Sequence, residues 1–181
     1  NSDTLEIPNK CNACGGDAKP IQIRDGLALK CTNPKCIAKT INGIVHYVSR
    51  DAMNITDFSK ATIEKFINNN FIKDFTDIYT LEQYKDDIIN MQGFGEKSYT
   101  NLINSIENSK NTTLANFIYS LGIEHIGLSN AKILCKHFDY NFDKIKSASL
   151  EELIEIDGFG EIMANSIINY FSNEENIKCI N

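Results

Sequence analysis

The sequence lacks any run of about 18 apolar residues, and it has no basic segment followed by a short apolar stretch. We therefore expect neither a membrane-spanning helix nor a secretory signal peptide, and a soluble intracellular protein is the default expectation. Proline is absent after Pro34, which favours a mainly helical structure for the rest of the chain. The sequence opens without an initiator Met, so we also expect a piece of a longer protein.

Charge is distributed unevenly along the chain. Residues 1–50 contain 7 Lys/Arg and 4 Asp/Glu, a net charge of +3, whereas residues 51–181 contain 11 Lys/Arg and 20 Asp/Glu, a net charge of −9. The 181 residues, 42% of them hydrophobic, suffice for one or two modest globular domains. Net acidity argues against a broad electrostatic grip on nucleic acid. Any contact with nucleic acid should therefore be local, made by backbone amides and a few lysines.

Four cysteines form two close pairs with the spacing C-x2-C-x16-C-x4-C: Cys11, Cys14, Cys31 and Cys36. Four thiolates in this arrangement can converge tetrahedrally on one zinc ion. Gly15 and Gly16 permit a tight backbone turn after the first pair. The stretch between the pairs alternates weakly around the dipeptide Asp25-Gly26, which is typical of a β-hairpin. The sequence thus predicts a small zinc ribbon holding one structural zinc ion.

Two other uses of these cysteines are less well supported by the sequence. Two disulfides would require an oxidising compartment, for which the sequence gives no sign. A catalytic zinc ion would need an open coordination position, and four sulfur ligands leave none. His46, ten residues after the last cysteine in an apolar stretch, is interpreted as a packed side chain and not as a further ligand.

Four segments of the remaining chain repeat at a nearly constant period. MQGFGEKSYTNL at 91–102 and IDGFGEIMANSI at 156–167 match best, IEHIGLSNAKIL at 123–134 is a looser copy, and ITDFSKATIEKF at 55–66 is a decayed one. Their central residues are separated by 36, 32 and 33 residues: Phe58, Phe94, Ile126 and Phe159. Such a period indicates one supersecondary unit per copy. We call residues 55–59, 91–95, 123–127 and 156–160 hairpins 1 to 4.

The residues that follow each hairpin have a helical pattern. Positions 4, 7, 8 and 11 after the last hairpin residue fall on one helical face. Fourteen of these sixteen residues are apolar, and the exceptions are Asn70 and Tyr99. Each unit is therefore predicted to be a helix, a hairpin and a second helix. Cys135 falls on the apolar face and is interpreted as a small buried residue, whereas the pattern assigns no role to Cys179.

The hairpins have the chemistry of phosphate sites. Glycine permits backbone conformations that are closed to other residues, and the start of the following helix offers unpaired N–H groups and the positive end of the helix dipole. A single copy could simply be a turn between helices, but repetition at a fixed period favours several phosphate contacts along one backbone. The candidate DNA-binding residues are Gly93, Gly95, Lys97, Ser98, Gly127, Ser129, Lys132, Gly158 and Gly160.

These units resemble helix-hairpin-helix DNA-binding repeats. Following a four-cysteine zinc module, they are similar to the C-terminal half of the NAD-dependent DNA ligases of bacteria. The segments that carry the resemblance are HYVSRDAMNI at 46–55, GFGEKS at 93–98, LGIEHIG at 121–127 and ASLEELIEIDGFGEIMANSI at 148–167. The order of these segments makes the resemblance specific, and it covers nearly the whole chain.

The resemblance implies a region that clamps nicked double-stranded DNA through minor-groove and backbone contacts, during strand sealing in replication and repair. Its partners would be the adenylation and oligonucleotide-binding domains of the same full-length chain, in the bacterial cytoplasm at the nucleoid. NAD and Mg²⁺ would serve the full-length enzyme only. The adenylation motif K-x-D-G is absent here, and Arg24 immediately precedes Asp25 in IRDGL at 23–27. We therefore expect this chain alone to be non-catalytic, with no catalytic residue to assign.

The sequence departs from the family pattern at two places. In hairpin 1, Asp57 and Ser59 stand where glycines are expected, and Asp57 would repel a phosphate. We therefore expect no phosphate contact from hairpin 1. Tyr99 stands where family members commonly have Ala, so the second hairpin should pack differently there, or the Tyr99 ring should turn outward into solvent.

The predicted architecture is mainly α-helical. A four-cysteine zinc ribbon at residues 1–48 precedes a helix-hairpin-helix domain at residues 49–181, whose four units pack as two pseudo-twofold pairs. Two other functions remain open at this point. One is a stand-alone DNA-binding adaptor of the kind found in repair nucleases and junction-binding proteins. The other is a protein-interaction module whose helix starts bind acidic partners.

Overall fold

The computed structural model describes residues 7–180, so the ends of the two predicted domain ranges, residues 1–6 and 181, lie outside the described residues. The chain is mostly helical and has one small two-stranded sheet. The elements are β1 (Ala18–Ile23), β2 (Gly26–Cys31), α1 (Ile37–Val48), α2 (Lys60–Asn68), a 3₁₀-helix (Phe75–Tyr84), α3 (Lys85–Ile89), α4 (Glu96–Ser109), α5 (Leu114–Ser120), α6 (Leu128–His137), α7 (Phe142–Lys146), α8 (Leu150–Ile154), α9 (Glu161–Ser172) and α10 (Glu174–Ile180). Within residues 7–180, no helix is both long and apolar enough to cross a bilayer.

The chain forms two compact units, and the first ends at Asn42 while the second begins at Gly43. This division lies inside α1, whose last residue is Val48. Helical structure therefore begins at Ile37. The sequence pattern had indicated a change from turns to helices only near residue 50. The first unit contains the antiparallel β-hairpin, with Ala18 opposite Cys31 and Ile23 opposite Gly26. Its turn consists of Arg24 and Asp25, because Gly26 already pairs with β1.

The second unit has two hydrophobic cores. The first core contains residues between Ile44 and Ile106, and the second contains residues between Ala115 and Phe171. Hairpins 1 and 2 contribute their central aromatic residues to the first core, whereas hairpins 3 and 4 contribute Ile126 and Phe159 to the second. The helices that follow the hairpins bury the face that the sequence pattern indicated. For example, α9 buries Ala164, Ile167 and Phe171.

Cys135 and His46 are both packed within the second unit. Cys135 is fully buried, and burial raises the pKa of its thiol to about 11, which confirms its interpretation as a core residue. His46 is half-buried, and its Nε2 donates to the carbonyl oxygen of Tyr119 at 2.6 Å. This bond ties α1 to α5 within the second unit, so His46 is the packed side chain that the sequence predicted.

The Tyr99 ring is buried, with 7% of the residue exposed. The alternative that turned this ring outward into solvent is therefore wrong, and the ring packs in the first core. Lys85 Nζ lies 5.8 Å from the ring centroid, within reach of a cation–π contact. Burial raises the pKa of Tyr99, and the nearby carboxylate of Glu82 adds to this effect.

We predict that Phe66→Ala lowers the free energy of unfolding by about 3–5 kcal/mol, because it opens a cavity in a packed aromatic core. Phe66 is fully buried and contacts the rings of Phe58, Phe71 and Phe94. Urea denaturation measures the loss. The matched control is Asn68→Ala on the same helix, an exposed position that should change stability by less than about 0.5 kcal/mol. Equal effects of the two substitutions would contradict the prediction.

Candidate metal centre and nucleic-acid interface

The four predicted ligand sulfurs meet in the first unit, where the Sγ atoms of Cys11, Cys14, Cys31 and Cys36 all lie within 4.8 Å of one another. The Sγ atoms of Cys11 and Cys36 are 3.8 Å apart, and those of Cys14 and Cys31 are 3.6 Å apart. Four sulfurs held tetrahedrally at about 2.3 Å from a zinc ion would be separated by roughly 3.8 Å. A disulfide requires about 2.05 Å, and all four cysteines are free. The cluster therefore has the size of a single tetrahedral metal site.

Local N–H groups point at these sulfurs. The backbone N–H of Gly16 donates to Cys14 Sγ at 3.4 Å, and that of Asn33 donates to Cys31 Sγ at 3.4 Å. The Asn33 side chain also donates to Cys14 Sγ at 3.5 Å. These bonds, the one from Gly16 foremost, lower the pKa of Cys14 to about 6. These bonds therefore favour the thiolate form of Cys14, which is the form that binds metal.

The two glycines after Cys14 are both required by this geometry. Gly15 has φ +71°, a left-handed conformation that glycine adopts without strain. A Cβ on Gly16 would lie 3.1 Å from the Cβ of Asn33 and 3.2 Å from Cys14 Sγ, so a larger residue would push the turn away from the sulfurs. The sequence indicates both glycines but not the role of Asn33. The turn residues TNPKC at 32–36, which include Asn33, are the signal that could have indicated this role.

Hairpins 1 to 4 share one backbone conformation. The residue before each central apolar residue has positive φ: Asp57 at 60°, Gly93 at 82°, His125 at 66° and Gly158 at 84°. Glycine takes this left-handed conformation readily, whereas Asp and His adopt it at some cost. His125 thus occupies the place of the first glycine in hairpin 3. His125 was not among the predicted residues, although its register in the repeat places it there.

The last residue of hairpins 2, 3 and 4 is a glycine whose backbone conformation differs from that of the left-handed residue. Gly95, Gly127 and Gly160 are the N-cap residues of α4, α6 and α9, with negative φ and extended backbone. A Cβ at any of the three would meet no atom within 4 Å. Neither backbone strain nor crowding inside the protein therefore explains why these positions lack a side chain.

Hairpin 1 shows what a side chain does at this position. Ser59 has the same extended backbone, with φ −70° and ψ 161°, and its hydroxyl accepts a hydrogen bond from Thr62 N at 3.2 Å. Ser59 thereby caps α2. Gly95, Gly127 and Gly160 provide no such bond. The first amides of α4, α6 and α9 consequently keep the unsatisfied donors that can bind an anion.

The predicted supporting side chains are exposed on the first turns of these helices or just beyond them: Lys97 and Ser98 on α4, and Ser129 and Lys132 on α6. The three helix starts differ in charge. α4 begins with Glu96 and α9 with Glu161, whereas α6 has no acidic residue in its first turn. Two residues after the N-cap glycine, α4 has Lys97 and α6 has Ser129. At the same position α9 has Ile162, which is 69% exposed. Hairpin 4 therefore presents an apolar residue beside its amides, and Gly158 belongs to its turn.

Comparison with known proteins agrees with this geometry. Residues 116–180 match the family model described as "Helix-hairpin-helix motif". Over 175 residues, the chain is 47% identical to the DNA ligase of Lachnoclostridium phytofermentans, an alignment that covers 97% of the chain and 27% of that relative. Identity to the DNA ligase of Ruminiclostridium cellulolyticum is 44% over 174 residues, covering 96% of the chain and 26% of the relative. For the DNA ligase of Clostridioides difficile the identity is 41% over 177 residues, covering 98% of the chain and 26% of that relative.

The chain therefore contains a helix-hairpin-helix domain, preceded by a four-cysteine cluster that could hold a metal ion. It is a homologue of one segment of the bacterial DNA ligases, and it spans about a quarter of the length of the curated relatives that it matches.

We predict that two neighbouring glycines of hairpin 2 respond differently to alanine. Gly93→Ala should lower the free energy of unfolding by about 1–2 kcal/mol, because it forces a Cβ into a left-handed backbone. Gly95→Ala should cost less than this, because its φ is negative and its Cβ would meet open space, so that only the preference of an N-cap for glycine over alanine is lost. Chemical denaturation of both variants decides the question. A larger loss for Gly95→Ala than for Gly93→Ala would show that the hairpin conformation is different.

Proposed function

We propose that this chain is the DNA-binding part of an NAD-dependent DNA ligase, and that it clamps nicked double-stranded DNA while other domains of the same protein seal the strand. The four segments act as four helix-hairpin-helix units, of which the last three hold phosphates. The adenylation and oligonucleotide-binding domains of the full-length chain supply the chemistry with NAD and Mg²⁺, and the chain itself has no catalytic residue.

One observation carries this proposal. Three helices of 10 to 14 residues begin at a glycine that neither backbone conformation nor internal packing requires. Glycine is an acceptable N-cap residue, but Ser, Asp and Asn stabilise a helix start better, so glycine at all three places favours a molecule outside the protein that approaches the helix-start amides closely. A phosphate group is the natural ligand of such amides, because the partial positive charge of the helix N-terminus favours an anion.

Recurrence of this feature favours a polymer over a small anion as the ligand. Hairpins 2, 3 and 4 share the turn bond from the central residue to the carbonyl three residues earlier, at 3.0, 3.1 and 3.0 Å. Three equivalent amide sites on one unit match a molecule with regularly repeated phosphates. Contacts of this kind hold a duplex in position without reading its sequence, which suits a protein that acts wherever a nick occurs.

The DNA ligases that the chain resembles support the identity of the parent protein. Their alignments include the four-cysteine module as well as the helical region, since they cover 96–98% of the chain. A stand-alone adaptor would need to match these ligases over both modules by coincidence. We place this function in the bacterial cytoplasm, at the nucleoid, in replication and repair.

We predict that Gly95→Val and Gly127→Val each weaken binding of nicked duplex about tenfold, because the added side chain separates phosphate from the helix-start amides. Loss of one charge-assisted contact of roughly 1.5 kcal/mol corresponds to this factor. Fluorescence anisotropy with a labelled nicked duplex measures the affinity. Circular dichroism should be nearly unchanged, because the added Cβ meets no atom within 4 Å, and thermal unfolding should shift only by the modest cost of valine at an N-cap position.

The matched control lies at the same position of hairpin 1. Ser59→Ala removes the cap of α2, so we expect a loss of stability of about 1 kcal/mol with DNA affinity unchanged. If Gly95→Val and Gly127→Val bind nicked duplex as well as the unmodified chain does, the hairpins are not the phosphate sites. If Ser59→Ala weakens binding as much as they do, hairpin 1 is not the exception proposed here.

The metal bound by the four cysteines is proposed to be one structural zinc ion. Within the described residues of the first unit, only Ala18 and Cys36 are buried apolar residues. A unit with so small a core depends on its metal for stability, as small zinc modules generally do. Four sulfur ligands leave no position for a reacting water molecule, so the ion has no catalytic role.

We predict about one zinc ion per chain by elemental analysis, consistent with a single tetrahedral site. Cys36→Ser should remove most of the metal, because the Cys36 sulfur lies 3.8 Å from that of Cys11 in the cluster. The helical content of the second unit should persist, since that unit has its own two cores. Cys135→Ser is the control, because Cys135 lies in the second core and should leave zinc content unchanged. Full zinc content in Cys36→Ser would reject the assignment.

A further inference from the structure

Lys65 lies on α2, the helix that follows hairpin 1, and yet its side chain reaches hairpin 2. Its Nζ donates a hydrogen bond to the carbonyl oxygen of Gln92 at 3.2 Å. A Cβ built on Gly93 would lie 3.9 Å from the same nitrogen. The ammonium group of Lys65 is therefore at the turn of hairpin 2, next to the residue with left-handed backbone.

Aromatic packing fixes this position. The ring of Phe66, the next residue on α2, lies 5.5 Å from the ring of Phe58 in hairpin 1 and 5.8 Å from that of Phe94 in hairpin 2. Because Phe66 is fully buried between the two hairpins, α2 is held against both. Lys65 is exposed and extends along the surface from this packed helix to the neighbouring turn.

The ammonium group keeps donors free for a ligand. Lysine has three N–H donors, and the bond to Gln92 uses one. In the described part of the chain, no carboxylate lies within ion-pair distance of Nζ. Gln92 is three residues before Gly95, so the Cα atoms of these two residues are at most about 11 Å apart. The lysine side chain is long, flexible and exposed, so its ammonium group can turn from Gln92 toward the α4 amides.

We propose that Lys65 is a phosphate-binding residue of hairpin 2, supplied by the helix of hairpin 1. It acts together with the amides of α4 and with Lys97 on a phosphate of the DNA backbone. The inference rests on the proposed DNA-binding function. It gives hairpin 1 and α2 a role in that function: the hairpin carries Asp57 and Ser59 in place of glycines, but α2 delivers a cation to hairpin 2 and offsets Glu96 there.

The test measures the affinity of the 181-residue chain for nicked duplex over a range of salt concentrations. Lys65→Gln removes the charge but keeps an N–H donor, and Lys65→Arg keeps the charge. We expect Lys65→Gln to weaken binding about fivefold near physiological salt and to reduce the slope of log affinity against log salt by about 0.9, the value for one phosphate contact. Lys65→Arg should retain the slope of the unmodified chain.

A matched control separates a specific contact from a general loss of charge. Lys136 is exposed in the last turn of α6, at the opposite end of that helix from hairpin 3. Lys136→Gln changes the net charge by the same amount, and we expect no change in slope. A thermal melt of each variant shows whether the fold is retained.

A double substitution tests whether Lys65 and the α4 amides hold the same phosphate. In a Gly95→Val background that phosphate is already lost, so Lys65→Gln should have little further effect. Additive losses would overturn the proposal. An unchanged salt slope for Lys65→Gln would also overturn it, even with weaker binding, because Lys65 would then only support the turn through Gln92. If the unmodified chain fails to bind nicked duplex, the proposed function itself is wrong.

Discussion

The helix-hairpin-helix unit depends on a single backbone constraint, the left-handed residue before the central apolar residue of each hairpin. This residue reverses the chain within a few bonds, and the next side chain then enters the core. The following residue is extended, so its amide neighbours point away from the core at the start of a helix. Packing inside and donor groups outside are thus set by the same turn. The constraint explains why Asp57 and His125 retain the conformation without being glycine.

The two glycines of a Gly-Phe-Gly hairpin are therefore present for different physical reasons. Gly93 and Gly158 have positive φ, and the turn itself favours glycine there. Gly95 and Gly160 have ordinary negative φ and open space around them. Neither backbone strain nor crowding in the fold therefore requires glycine at these two positions. An acidic region with a net charge of −9 over residues 51–181 can in this way retain local donors for phosphate, while its carboxylates discourage contact elsewhere.

Much of this arrangement could be predicted from the sequence, because it follows from local spacing. The cysteine spacing predicted a cluster of four sulfurs, and the repeat register predicted where the helices after the hairpins begin and which faces they bury. The features that could not be predicted depend on how separate elements pack. The inward position of the Tyr99 ring, the bond from His46 to Tyr119 and the reach of Lys65 to Gln92 are of this kind. Asn33 as a donor to sulfur also requires two turns to meet. The start of α1 at Ile37 differed from prediction. Its apolar residues recur at helical spacing, but they directly follow the last cysteine and were assigned to the zinc module.

Hairpin 1 has lost its glycines while α2 still buries Ile63 and Phe66 completely. In a tandem array, selection acts separately on the surface and the interior of each duplicated unit. The tip of hairpin 1 is free to vary, because Asp57 keeps the left-handed turn and Ser59 caps α2 without glycine. The interior of the same unit is not free to vary, because its aromatic residues pack against the neighbouring copy. The oldest trace of duplication in this protein should therefore survive in the spacing of its buried residues, after the turn sequence itself has ceased to be recognisable.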